Sequence, residues 1–312
     1  MSAIAQSPTV AQTRAMKTSK LVLWLGALVV LLTVAATTIG LLASGGAGGR
    51  AFTTVRGTAA TIYGLGLYKY DTVFSGAGQR GTDLVTLALG VPLLVVCLAF
   101  YDRGSLRAGW LLAGGFAYIL YVYASLALGS AFNSLFLVYV ALFSASLYGL
   151  IVLLRSIDLA ALPGDVLARL PRRGPAAFMF FSGVVVLFVW LQPVATALLH
   201  GDAPARMDSY TTTMTYALDL AVIAPALFIS GGLMLRGRPL GYLLGFPMLG
   251  IILLLGPSIA AQTVSQTRAG IELTPGEAVG PVAGFLVVCV WAIWVIVSVL
   301  RVLPRAGRAA ED

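Results

Sequence analysis

Residues 83–101 read DLVTLALGVPLLVVCLAFY, one acid followed by eighteen residues without a charge. As a helix rising about 1.5 Å per residue, this run is long enough to cross a hydrocarbon layer ~30 Å thick. It shows no period-two alternation, and lipid tolerates only helices and closed barrels, so the run predicts a transmembrane helix. Comparable runs lie on either side, at roughly 21–42, 108–128, 134–154, 178–199, 213–235, 241–262 and 281–303. The composition agrees. The chain has 312 residues, 59% hydrophobic and only 10% charged, where a soluble domain carries about a quarter. The expected fold class is an all-α integral membrane protein of about eight transmembrane helices.

The charges orient these spans. The net charge is +8, from 20 Lys and Arg against 12 Asp and Glu. With the N-terminus inside, only Arg50, Arg56, Lys69, Arg80, Arg206 and Arg268 fall on the outer face, and four of these share one longer loop. The remaining basic residues lie on the inner face, as the positive-inside rule requires. Both termini are then cytoplasmic, in a cytoplasmic membrane of bacterial type. The first run follows Lys17 and Lys20 as a signal peptide would. Its twenty or so apolar residues exceed the usual 7–15, so it reads as a retained span. The organisation expected is a tail over 1–20, a four-helix half over 21–155 with an outside loop at 44–82, a connector over 156–177, a second half over 178–303 and a tail over 304–312.

The two halves share a pattern. Asp83-Leu84, Pro92, Arg103-Gly104 and Gly109-Trp110-Leu111-Leu112 are echoed by Asp219-Leu220, Pro225, Arg236-Gly237 and Gly241-Tyr242-Leu243-Leu244, about 132–136 residues later. Both halves start inside, so the echo predicts two parallel four-helix repeats.

Several chemistries find no support. Basic residues without interleaved aromatics outside the membrane give no nucleic-acid surface. Cys97 and Cys289 lie in separate apolar runs and read as packing residues, not as a redox or zinc pair. One histidine, His200, makes a metal site improbable. No cofactor is expected. Gly76-x-Gly78-x-x-Gly81 matches the dinucleotide string but lacks the strand and βαβ context. It reads as a hinge or turn at the mouth of a helix, with Arg80 a candidate anion binder.

Intramembrane acids are costly and therefore candidates for function. Asp219, two turns into the sixth run, leads, with Tyr216 and Thr212 preceding it at helical spacing. Asp83 would lie in the first turn of the second span, where Thr82 could cap it. Polar residues gather towards the outer side: Gln192, Thr196 and His200 four apart, then Tyr118, Tyr121 and Ser125, Asn133 in the next turn, and Ser258 and Gln262 beyond Gly256-Pro257. That proline frees a carbonyl that needs another donor, often near a cavity. Gly237, Gly241 and Gly245, and again Gly280 and Gly284, predict close helix packing. The reading is an outward-facing polar cavity in which Asp219 and Asp83 converge, in a carrier or binder of a small or lipidic solute. The alternatives are an intramembrane enzyme acting on a lipid or isoprenoid, and a non-catalytic subunit or sensor working through the outside loop. Membrane lipid is the expected partner; the oligomeric state is not readable.

Overall fold

The computed structural model describes residues 15–204 and 207–304. The outer tails, with Arg14, Arg305 and Arg308, and Arg206 of the loop before the sixth span lie outside the described residues. Among the described residues eight helical spans are long and apolar enough to cross a membrane, as the sequence predicts. The first half holds α1 (Lys20–Leu42), α2 (Val73–Val85), α3 (Val91–Asp102), α4 (Leu106–Gly129) and α5 (Phe136–Ser156). Between α1 and α2 the loop folds into an antiparallel hairpin of β1 (Arg50–Thr53) and β2 (Ala59–Ile62). The connector carries the short α6 (Gly164–Arg169). The second half holds α7 (Arg173–His200), α8 (Met214–Leu218), α9 (Ala224–Leu235), α10 (Pro239–Arg268) and α11 (Pro275–Val302).

The second span departs from its expected start. Thr72, not Thr82, is the cap: its hydroxyl accepts the Ser75 amide at 3.3 Å, and the helix begins at Val73. Asp83 is therefore ten residues inside the helix, not in its first turn, and the outside loop ends near residue 72. The glycine string is neither hinge nor turn. Gly76, Gly78 and Gly81 lie within α2, and a Cβ on Gly81 would come within 2.4 Å of the Gln262 amide nitrogen. Glycine is needed there so that α2 can lie backbone to backbone on α10.

α2 and α3 are one span joined by a π turn at Thr86–Gly90, and α8 and α9 are joined by another at Asp219–Ile223. Each precedes a proline, Pro92 or Pro225, near the start of the next helix. A proline has no N–H and its ring crowds the carbonyl four residues back. The local widening resolves this: Val91 donates to the Thr86 carbonyl, and Ala224 to that of Asp219, each five residues back. The shared register therefore places Thr86, not Asp83, at the position of Asp219.

The centre is α4 crossing α10. Their hydrophobic stretches are the most buried of the eight, at 67% and 61%. A Cβ on Gly250 would lie 2.2 Å from the Gly114 Cα, and Trp110 meets Phe246 edge-on at 4.9 Å. Around this crossing α5 packs on α4 and α11 on α10, while α3 packs on α4 and α9 on α10. The second span of each half reaches the third span of the other: α2 lies on α10, and α8 on α4.

The connector and both described ends share one face. Lys17 donates to the Ser156 carbonyl at 3.0 Å, and the Arg107 guanidinium to that of Leu303. The opposite face carries the hairpin.

Two packing expectations change. The carbonyl that Pro257 frees, that of Leu253, is met by the Cys289 thiol at 3.3 Å, with no cavity required. Gly241 and Gly245 do pack closely, on α9, but Gly280 and Gly284 have nothing within 4 Å of an added Cβ. They lie on an outward side of α11.

Candidate functional site

A cleft of about 200 Å³ opens on the hairpin face between the two halves. The first half supplies Tyr68 and Asp71 from the loop, Ser75 and Gln79 from α2, and the end of α4 around Ser125 and Ser130. The second half supplies Met207, Tyr210 and the stretch from Thr212 to Tyr216. Three tyrosines and one acid dominate this lining, and no Lys or Arg is among the described lining residues.

Asp71 is only 3% exposed. The loop turns back on itself here, with the Tyr63 amide donating to the Asp71 carbonyl at 2.7 Å. The Asp71 carboxylate accepts the Ala131 amide at 2.9 Å and the Tyr210 hydroxyl at 2.6 Å, so it ties the loop to the α4–α5 turn and to the second half. Burial pushes this carboxyl above the ordinary carboxylate range, against the opposing effect of its two donors. The Tyr210 phenol is raised as well, by burial and then by the adjoining Asp71 charge. Sequence reasoning missed Asp71, Tyr210 and Tyr68. The only local sign was an acid beside the residue that proves to be the helix cap, and its burial depends on partners 60 and 139 residues away.

Neither intramembrane acid lines the cleft; each stands behind one of its walls. Asp83 accepts the Tyr68 hydroxyl at 2.7 Å, with Gln79 alongside, and Tyr68 also borders the cleft. Gly40 of α1 makes room for this contact, since a Cβ there would lie 2.1 Å from the Asp83 Oδ2. Asp219 accepts the Trp190 indole N–H at 2.6 Å and adjoins the Tyr121 hydroxyl. Trp190 in turn stacks on Tyr216, ring centroids 4.2 Å apart, and Tyr216 lines the cleft. Thr212 also lines it, but precedes α8 and is not on its helical face. The expected convergence of Asp83 and Asp219 in one pocket is thus corrected. Tyr118 is beside Asp83 and Tyr121 beside Asp219, and the two acids share no hydrogen-bond partner.

The other candidates divide. Asn133 is buried, its Oδ1 accepting the Leu135 amide at 3.0 Å while its Nδ2 has no partner. Tyr118 bridges Thr86 at 2.8 Å and Ser258 at 3.1 Å, and Gln262 donates to Thr82 at 2.9 Å, so these polar groups stitch helices together. Arg80 donates to the Leu41 carbonyl at 2.7 Å and so caps the end of α1. The amides of the glycine string are inside α2, which leaves no helix mouth there for an anion. Gln192, Thr196 and His200 point outward from α7, and the His200 ring bonds the Thr196 carbonyl. They contribute nothing to the cleft. Among the described residues no group of three His, Cys, Asp or Glu could hold a metal ion.

Compared with known proteins, the chain matches no family model, no curated protein and no solved structure.

Proposed function

We propose that this membrane protein binds a small organic cation in the cleft between its halves and serves as a carrier or receptor for it. With the Lys- and Arg-rich connector face inside, the cleft opens outside the cytoplasmic membrane, and the two halves are read as parallel repeats meeting at it. The observation that carries the reading is Asp71: a nearly buried carboxylate on the wall of a cleft otherwise lined by tyrosines, hydroxyls and methionines. A buried charge favours an ionic partner. The faces of Tyr68, Tyr210 and Tyr216 suit an ammonium or alkylammonium group, which aromatic rings attract through their quadrupole. An enzyme using Asp83 and Asp219 as an acid–base pair is disfavoured, because each is engaged by its own donor and neither lines the cleft.

The test is thermal stabilisation of the purified protein by choline, ethanolamine and putrescine, with glycerol and inositol as neutral controls. At least one amine should raise the melting temperature, and Asp71→Asn should abolish the rise. If no amine stabilises the protein, or if Asp71→Asn leaves the effect intact, the reading is wrong. The pH dependence has a fixed sign. Burial raises Asp71, so amine binding weakens as pH falls through a value above the ordinary carboxylate range. In the absence of amine, the same raised acid makes folding stability decline as pH climbs from the ordinary carboxylate range to that value.

A further inference from the structure

Behind Tyr68 the first half buries a cluster of polar groups, several of which have no close partner in the chain. Thr33 of α1, Tyr123 of α4, Tyr139 of α5 and Asn133 of the α4–α5 turn are each less than a tenth exposed. Each has a side-chain polar atom with no close hydrogen-bond partner, and the Gln79 amide reaches only towards Asp83. Tyr123 faces Thr33, and Tyr139 faces Asn133, near enough to interact but longer than an ordinary hydrogen bond. Such buried groups are nearly always partnered, and a cluster of hydroxyls and amides is what ordered water satisfies, since water both donates and accepts. Asp83 is the acid at the centre.

We propose that this cluster encloses ordered water, forming a hydrated chamber and a second site that binds a proton on Asp83 and exchanges it with the cleft through Tyr68. A hydronium ion in the cleft gives a proton to the Tyr68 oxygen and is left as water, while the Tyr68 O–H proton passes to the Asp83 Oδ2, 2.7 Å away. Tyr68 ends unchanged, Asp83 is neutral, and the reverse transfer restores its charge. The groups that face Asp83 are few. Arg80 is the cation nearby on its own helix, Tyr68 comes from the loop, Tyr118 and Tyr123 from α4 and Tyr139 from α5. α1 offers Thr33 and Gly40, and α10 meets the neighbouring Thr82 through Gln262; none of these titrates. Charge on Asp83 is therefore balanced by Arg80, whose guanidinium is held by the Leu41 carbonyl. A wall residue shared by cleft and chamber lets proton occupancy bear on the solute site, so the proposal deepens the cleft reading and rests on it for the proton's point of entry.

Infrared titration of the purified full chain in lipid nanodiscs, with no solute added, tests it. A protonated-carboxyl band should appear as pH falls and be missing from Asp83→Asn. Tyr68→Phe should keep the band but slow its response to a pH jump by about tenfold or more. If Asp83→Asn does not fold, Asp83→Glu should move the band to the glutamate position. A titrating spectrum that neither variant alters overturns the proposal, as does an unchanged response in Tyr68→Phe. So does a midpoint that falls when sodium chloride replaces N-methylglucamine chloride, which would assign the chamber to a metal cation. Failure here leaves amine binding at Asp71 untouched, and failure of amine binding leaves the infrared band to stand by itself.

Discussion

The second spans of the two halves are alike from the π turn onward and unlike before it. After the turn, α3 and α9 each run twelve residues to a tight turn, where Gly104 and Gly237 take a left-handed conformation that a side chain would resist. Before the turn, α2 has thirteen residues and α8 only five. The extra helical turns of α2 lie along α10 and bury Asp83 under Tyr68. The shorter α8 leaves Thr212 and Thr213 unwound beside the end of α4, and the cleft forms there. One backbone device thus yields a sealed side and an open side, and the length of helix before it decides which.

The sealed side is the easiest to break. Gly81→Ala would set a methyl group within 2.4–2.6 Å of the Ala261–Gln262 backbone, where no rotamer can relieve it. Overpacking of this kind costs about 1–3 kcal/mol or more, so the purified variant should melt well below the parent in detergent. An unchanged melting temperature would mean that α2 does not seal against α10.

The two π turns differ in what holds their first residue. Asp219 takes the Trp190 indole N–H, whereas Thr86 meets the Tyr118 hydroxyl. Trp190→Phe removes a bond to a carboxylate, worth about 1.5–3 kcal/mol. Tyr118→Phe removes two neutral bonds of about 0.6 kcal/mol each. Unfolding in mixed micelles should rank the two losses in that order, and the reverse order would show that Asp219 is not held through Trp190.

The smallest effect sharpens the likeness. Gly232 of α9 stands where α3 has Ala99, 133 residues earlier, and a Cβ there meets nothing within 4 Å. Gly232→Ala should leave the fold intact and raise stability by up to about 1 kcal/mol through helix propensity. Destabilisation would reveal a neighbour on that side of α9.

The fold was largely legible because the deciding quantity is local: an unbroken apolar window is a span whatever surrounds it. The site was legible only in part. Asp219, Asp83, Tyr121, Tyr216 and Asn133 were marked as polar groups in an apolar setting, and each does have a buried or cleft-side place. Asp83 was set in the wrong turn because the ten residues before it are rich in Gly, Ser and Thr and read as loop. They are helix because α10 lies close enough to need glycines there. Gln192, Thr196 and His200 have the same spacing as an inward stripe, and only the neighbours of α7 reveal that they point outward.

Sequence alone determined the number of spans and their order, since hydropathy acts along a few consecutive residues. Tertiary structure decided that Asp71 is the acid at the cleft, that Asp83 and Asp219 have separate partners, and that a cluster of polar groups is buried behind Tyr68. Each of these depends on partners brought together from distant parts of the chain, such as Ala131 and Tyr210 at Asp71. The energy of a buried polar group lies in those partners and not in its sequence neighbours.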